Sequence, residues 1–245
     1  MNAPLRLICL PPAGAGPSLF QPWRRADPHV EAPAIPGREA RFREKEADSL
    51  EMLADGLAAD IAARPPRRYA LFGYSMGGTV AFLLAERLAA RGLPGPEAFF
   101  VLGAPAPHLL GVGVDGLHRL ETGDFWREIA GLGGTPDEIL NDPEMRALFE
   151  PALRADFRLC GAHRPRATGF RLGCPVHVFV ADEDHLVDGD CAAAWRPYVA
   201  EPARLHRIAG GHMLGPAAFA ALLGAIRALT GNAQAGAAVG PVAGL

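Results

Sequence analysis

The chain has 245 residues, of which 49% are hydrophobic, so it can bury one sizeable core, as single α/β domains of this length do. Its 24 basic and 27 acidic residues give a net charge of −3, and they form no basic block, which argues against a nucleic-acid-binding protein. No apolar run is long enough to span a membrane and the first residues do not form a signal peptide, so we expect a cytoplasmic protein that does not bind membranes.

Apolar strands alternate with helices along the chain, which predicts a mostly parallel sheet with helices on both faces. The expected strands are, in chain order, "LRLICL", the weaker "VEAPAI", "RYALFGYS", "EAFFVL", "CPVHVFV" and "ARLHRI". The expected helices are "DSLEMLADGLAADIAA", with Asp48 or Ser49 as its N-cap, "GGTVAFLLAERLAA" and "GPAAFAALLGAIRAL".

One helical segment interrupts this alternation. Residues 123–165 have helical spacing but lie between two sheet strands, and they are too many for a simple crossover. We therefore expect a helical lid inserted into a single domain of residues 1–230. Residues 231–245 lack a periodic pattern and are expected to form a disordered tail. The four cysteines form no CxxC pair, so we expect no metal site.

The stretch "FGYSMGG" places Ser75 between Gly73 and Gly77, which fits the nucleophile elbow G-x-S-x-G. It lies between a buried strand and a strongly periodic helix, as a sharp strand-to-helix turn requires. The glycines remove side chains that would collide with the turn, and the serine hydroxyl becomes exposed. We predict that Ser75 is a nucleophile; the alternative is a tight turn with an idle serine.

A serine nucleophile needs a base, and the base needs an orienting acid. His212, in "IAGGHMLGP", follows the last strand at the sheet edge where ligands bind, and it is the predicted base. His177 and His206 lie within strand patterns and are expected to be structural. Asp184, in "VFVADEDHLVD", is the predicted acid, with Asp182 as its main rival.

Two backbone N–H groups are expected to stabilise the oxyanion that forms when a serine attacks a carbonyl. Met76 follows Ser75 at the start of a helix, so its N–H can point at the oxyanion. The second donor normally comes from the loop after the first strand, here "CLPPAGAG". Pro11 and Pro12 have no N–H, so Ala13 is the first residue of that loop that can donate.

Several further motifs accompany the elbow: "LPPAGAGPSLFQPW", "IPGREARF", "LFGYSMGGTVAFLLAERL", "LGGTPDEIL", "PALRADFRL", "VFVADEDHLV" and "GGHMLG". With them the chain resembles, over nearly its whole length, the external (type II) thioesterases that accompany non-ribosomal peptide and polyketide synthases. The elbow occurs in many hydrolases, whereas "PGRE", "GGTP" and "LRADFRL" are more specific to these thioesterases. Such relatives typically have Pro-His-Ala-Gly-Gly where this chain has "PPAGA".

This resemblance implies an α/β-hydrolase fold with Ser75, Asp184 and His212 as a catalytic triad and Met76 and Ala13 as oxyanion donors. It implies a thioesterase that hydrolyses acyl groups from the phosphopantetheine arm of acyl or peptidyl carrier proteins, for editing of stalled synthases or for product release. No metal or dissociable cofactor is expected, because the phosphopantetheine belongs to the partner protein. A monomer is the default expectation.

Two other functions are compatible with the elbow. A small-molecule carboxylesterase would use the same triad on free oxygen esters. A non-catalytic carrier-binding module would keep the fold, although it would not need all three triad residues.

The lid is expected to cover the site and to shape an acyl chamber. The candidate chamber wall consists of Phe125, Trp126, Ile129, Leu132, Ile139 and Leu140, which alternatively only pack the lid. Candidate contacts for an acidic carrier protein are Arg154, Arg158, Arg164, Arg166 and the loop "PGREARFREKE". An ordinary solvated surface is the alternative for these charges.

Overall fold

A computed structural model of the chain describes residues 3–165, 169–187 and 190–231. Its strands are β1 (Arg6–Leu10), β2 (Val30–Glu31), β3 (Tyr69–Tyr74), β4 (Phe99–Leu102), β5 (Val176–Ala181) and β6 (Arg204–Ile208). Its α-helices are α1 (Gln21–Ala26), α2 (Leu50–Ala62), α3 (Met76–Ala90), α4 (Thr122–Leu132), α5 (Asp137–Leu140), α6 (Pro143–Ala162), α7 (Cys191–Ala194) and α8 (Pro216–Leu229). The predicted tail lies outside the described residues, apart from Gly231.

The six strands form one sheet in the order β2-β1-β3-β4-β5-β6, and every strand pair in the described part of the chain is parallel. The mostly parallel sheet expected from the sequence is therefore confirmed. Leu10 of β1 pairs with Gly73 of β3, and Tyr74 pairs with Leu102 of β4. The central strands consequently end at the same edge of the sheet, and the loops that follow them converge there.

Helices cover both faces of the sheet, which explains why its strands read as continuous apolar runs. On one face, Ile8, Leu71 and Val101 belong to a core shared with α2 and α3. On the other face, Phe72 and Phe100 belong to a core shared with α1 and α8. Alternate residues of a strand thus enter opposite cores, as the two-residue period of a strand requires.

Side-chain caps fix where two helices begin. The Ser49 hydroxyl accepts a hydrogen bond from the Met52 N–H at 3.1 Å, so Ser49 and not Asp48 is the N-cap of α2. Asp142 caps α6 by accepting from the N–H groups of Glu144 and Met145. Among the described residues, no helix combines the length and the apolar character needed to cross a bilayer.

Helices α4, α5 and α6 lie between β4 and β5, in the segment expected to form a lid. They share a small core of their own, made by Phe125, Trp126, Ile129 and Leu153. Arg154 ties this core to the chain before it: the guanidinium donates to the carbonyls of His118 and Leu120 and lies 4.2 Å from the centre of the Phe125 ring. Arg154 therefore stabilises the lid and is not free to meet a carrier protein, while Arg166 lies outside the described residues.

Replacing Trp23 by alanine should lower the free energy of unfolding by about 3–5 kcal/mol, because a large buried side chain leaves a cavity. Trp23 is 1% exposed, stacks on Phe219 with ring centroids 4.4 Å apart, and donates its indole N–H to the Phe219 carbonyl. Urea unfolding measures the loss. The control is Phe42→Ala at a 64% exposed position, which should change stability by less than about 0.5 kcal/mol. Equal losses for the two variants would contradict this packing.

Candidate active site

Ser75 lies at a strained turn between β3 and α3. Its φ of 51° and ψ of −120° lie outside the regions that residues with a side chain normally adopt. The Ser75 N–H donates to the Leu102 carbonyl at 2.8 Å, and its own carbonyl accepts from the Gly78 N–H at 2.9 Å. Ser75 is held in this conformation by the bond to β4 on one side and by the first turn of α3 on the other.

The two glycines of the elbow are required by close backbone contacts. A Cβ atom on Gly73 would lie 2.4 Å from the Gly77 carbonyl oxygen, and one on Gly77 would lie 2.3 Å from the Leu10 carbonyl oxygen. Both distances are far shorter than any real contact of a Cβ atom with backbone. The elbow therefore packs directly against the end of β1, and only glycine allows that approach.

A chain of hydrogen bonds joins the three predicted triad residues. His212 Nε2 lies 3.1 Å from Ser75 Oγ, and His212 Nδ1 lies 2.8 Å from Asp184 Oδ2. Asp184 Oδ1 accepts from the N–H groups of Leu186 and Val187 at 2.8 and 3.2 Å, which fixes the carboxylate. The Asp184 side chain is only 1% exposed and that of His212 only 6%, so the pair is shielded from water.

The rival acid and the other histidines lie elsewhere. Asp182 is exposed and lies 3.5 Å from Arg207 on β6. His177 and His206 lie on β5 and β6, where their ring nitrogens approach to 2.9 Å. Burial and the neighbouring His206 lower the pKa of His177 to about 4, and burial also lowers the pKa of His206. The structure therefore brings Asp184 and His212 to Ser75 and leaves these alternatives away from it.

Two further glycines make room for the histidine, and the sequence analysis did not identify them. A Cβ atom on Gly103, just after β4, would lie 3.0 Å from Asp184 Oδ2 and 3.1 Å from His212 Nδ1. A Cβ atom on Gly134, in the "GGTP" motif of the lid, would lie 3.1 Å from His212 Cδ2. The lid thus packs directly on the imidazole ring, which gives this motif a physical reason.

Tyr74, next to the nucleophile, holds the loop that carries His212. Its hydroxyl donates to the His212 carbonyl and accepts from the Leu214 N–H at 2.9 Å. Burial raises the pKa of Tyr74 well above its ordinary value, so the hydroxyl keeps the proton that it donates. The sequence showed only a buried strand residue here, because both partners lie far along the chain.

The two predicted oxyanion donors are neighbours of the nucleophile in space. Met76 opens α3 directly after Ser75, and Ala13 lies in the loop after β1. Ala13, Met76 and Ser75 all line one chamber. The two predicted donors therefore border the same space as the nucleophile.

The chamber has a volume of about 570 Å³ and reaches from Ser75 and His212 to the lid. Much of its lining is apolar, with Leu109 and Val114 after β4, Ile129, Leu132 and Phe157 from the lid, and Leu186 after β5. Such a lining suits a hydrocarbon chain, and Ser75 and His212 border the same chamber.

A family model described as a thioesterase domain matches residues 5–230 of the chain. The chain belongs to the thioesterase family. Thioesterase PikA5 of Streptomyces venezuelae is 36% identical over 220 residues, which cover 86% of this chain and 75% of that protein. The gramicidin S biosynthesis protein GrsT of Aneurinibacillus migulanus is 34% identical over 197 residues, which cover 79% of this chain and 76% of that protein.

Solved structures of thioesterases share the fold. RedJ, a thioesterase from the prodiginine biosynthetic pathway in Streptomyces coelicolor, matches with a TM-score of 0.81 and 34% identity over 91% of this chain and 85% of its own. The type II thioesterase BorB from the borrelidin biosynthetic cluster matches with a TM-score of 0.80 and 34% identity over 93% of each chain. The α/β-hydrolase fold and the thioesterase family predicted from the sequence are thereby confirmed.

The lid of this thioesterase supplies less of the chamber wall from α4 and α5 than the sequence analysis expected. Ile129 and Leu132 do line the chamber. Phe125 and Trp126 are buried in the lid core, and Ile139 and Leu140 pack against that core. For these four side chains, the alternative of packing the lid is right. Leu153 and Phe157 of α6 also line the chamber, which the sequence did not indicate.

Replacing Tyr74 by phenylalanine should lower both stability and turnover of this thioesterase. Loss of the Tyr74 hydroxyl leaves the His212 carbonyl and the Leu214 N–H without their partner, which should lower the free energy of unfolding by about 1–3 kcal/mol. The loop that carries His212 then loses its anchor, so kcat for thioester hydrolysis should fall.

The matched control is Tyr69→Phe at the other end of β3. Its hydroxyl donates to the Pro94 carbonyl at 2.8 Å, away from the site. This variant should lose stability but keep wild-type kcat. If both variants turn over like the wild type, Tyr74 does not position the histidine.

Proposed function

We propose that this thioesterase hydrolyses acyl groups from the phosphopantetheine arm of carrier proteins, through an acyl-enzyme on Ser75. The observation that carries the proposal is the hydrogen-bonded chain from Asp184 through His212 to Ser75, which borders a largely apolar chamber. The biosynthetic systems named for the relatives support the carrier-bound substrate. Removal of aberrant or stalled acyl groups is the expected duty, and product release uses the same chemistry.

The tautomer of His212 follows from its partners. A carboxylate can only accept hydrogen bonds, so the proton on the Asp184 side belongs to Nδ1. Nε2 is then free to take the Ser75 proton as Oγ attacks the thioester carbonyl. Asp184 keeps the ring oriented and stabilises the imidazolium that forms.

The developing negative charge on the carbonyl oxygen would be stabilised by the N–H groups of Met76 and Ala13. One such donor typically contributes about 10²–10³-fold in rate. As the tetrahedral intermediate collapses, the carbon–sulfur bond breaks and the imidazolium returns its proton to the leaving thiolate. The products are the free phosphopantetheine thiol on the carrier and an ester on Ser75.

The second half of the reaction repeats these steps with water. His212 Nε2 takes a proton from the water, whose oxygen attacks the Ser75 ester. Collapse of that intermediate releases the carboxylic acid and returns the proton to Ser75 Oγ. All protons move between Ser75, His212, water and substrate, so the proposed reaction uses no cofactor of the enzyme's own.

Carrier proteins loaded with short or long acyl groups should lose the acyl mass in the presence of wild-type enzyme and keep the phosphopantetheine arm. Intact-protein mass spectrometry follows both masses. Ser75→Ala should lower the rate by about 10⁶-fold, because the nucleophile is gone. Asp184→Asn should lower it by about 10⁴-fold, because the histidine then takes the wrong tautomer.

The matched control is Asp182→Asn, which removes an exposed carboxylate two positions away in the same loop. It should behave like the wild type. If acyl groups stay on the carrier while a simple oxygen ester is cleaved, the chain is a carboxylesterase. If neither is cleaved although the carrier binds, the non-catalytic binding module is the better description.

A further inference from the structure

Asp156, on α6 of the lid, is a buried carboxylate outside the triad. Its side chain is 1% exposed and forms an ion pair with Arg38, whose side chain is 9% exposed. The pair is bidentate: Arg38 donates to Asp156 Oδ1 at 2.6 Å and to Oδ2 at 2.9 Å. Burying two charges costs free energy unless geometry and further hydrogen bonds compensate, so the remaining partners of this pair are informative.

Those remaining partners belong to the loop after β1 that contains Ala13. Asp156 Oδ2 accepts from the Gly14 N–H at 2.7 Å, and Arg38 donates to the Ala15 carbonyl at 2.7 Å. The Ala15 N–H donates to the Pro12 carbonyl at 3.2 Å. Among residues 11–15, only the Ala13 N–H then has no acceptor within the described part of the chain.

The chain just after this loop has a second attachment to the segment around Arg38. Glu39, held at a φ of 47°, accepts hydrogen bonds from the N–H and the hydroxyl of Ser18. Of the "PGRE" motif, Arg38 therefore points inward and holds the loop, whereas Glu39 is exposed and binds Ser18 at the surface. Arg38 is therefore not available as an exposed contact for a carrier protein.

Charge balance requires both members of the pair. The Asp156 carboxylate binds Gly14, the residue after the proposed oxyanion donor Ala13. An unpaired negative charge at this place would oppose the developing oxyanion. Burial by itself lowers the pKa of Arg38, but Asp156 outweighs it and raises that pKa above its ordinary value. Arg38 thus stays charged and neutralises Asp156.

We propose that Asp156 and Arg38 are positioning residues that hold the loop of Ala13, so that its N–H faces the oxyanion only while lid helix α6 is in place. The inference rests on the proposed function, because it assumes that Ala13 is an oxyanion donor. A contact supports the link: a Cβ atom on Gly14 would lie 2.6 Å from Leu153, so α6 and the loop are in direct contact. Moving α6 away removes Asp156 and Leu153 from the loop together.

The test compares Asp156→Asn and Arg38→Lys with a matched control, Arg68→Lys. Arg68 makes a bidentate pair with Glu97 that is exposed and distant from the chamber. Hydrolysis is measured on an acyl-loaded carrier protein and on a p-nitrophenyl ester. For both substrates kcat/KM should fall on the order of 10²-fold in the two site variants, as for loss of one oxyanion donor. The control should stay within about twofold of the wild type.

A binding measurement separates positioning from a general structural role. A trifluoromethyl ketone analogue forms a tetrahedral adduct with a serine, so its affinity should fall in parallel with kcat/KM. The affinity for an unreactive amide analogue, which mimics the bound substrate, should not change. Equal losses for the two ligands, or unchanged kcat/KM in folded variants, would overturn the inference.

If the single variants fail to fold, the double variant Arg38→Met with Asp156→Leu takes their place, because apolar replacement of a buried pair is often neutral for stability. The same fall in kcat/KM is expected from the double variant.

Failure of the proposed function would give a different result. The wild type would then leave acyl groups on the carrier, while the variant series on the p-nitrophenyl ester still tests the oxyanion loop.

Discussion

The turn at Ser75 is the constraint on which the rest of the site depends. A residue with a side chain is held at a positive φ between a buried strand and a helix, and Gly73 and Gly77 allow backbone to approach within distances that no side chain permits. Such strain persists only when the surroundings over-determine it. Here the surroundings are the parallel pairing of β3 with β1 and β4 and the two cores that cover the sheet.

Around this turn, the parts that surround Ser75 are fixed by groups distant in sequence. Tyr74 anchors the loop of His212, Gly103 leaves space for the Asp184–His212 pair, and the lid glycine Gly134 packs on the imidazole. The lid is thus part of the site and not only its cover. The buried Arg38–Asp156 pair extends the same arrangement to the loop of Ala13.

Much of the fold and of the candidate site could be predicted from local sequence patterns. The strands and helices follow from apolar periodicity, and the elbow, the last-strand histidine and the acidic loop after β5 follow from motif and chain order. What the sequence left open depends on long-range geometry. Asp182 and Asp184 lie in the same loop, and the conformation of the turn after β5 decides which of them reaches His212. Arg38 pairs with Asp156 although the two lie 118 positions apart in sequence. Tyr74 reads as a core residue because its hydrogen-bonding partner lies 138 positions away.

A fluorophosphonate forms a stable bond to activated serines, so labelling with it shows whether Ser75 is an activated nucleophile. Peptide mapping by mass spectrometry locates the adduct, and thioester turnover is measured in the same samples. We expect modification at Ser75, loss of turnover in proportion to that modification, protection by the acyl thioester, and much slower labelling in His212→Ala. Turnover that persists after complete modification of Ser75, or an inactivating adduct on another residue, would contradict this expectation.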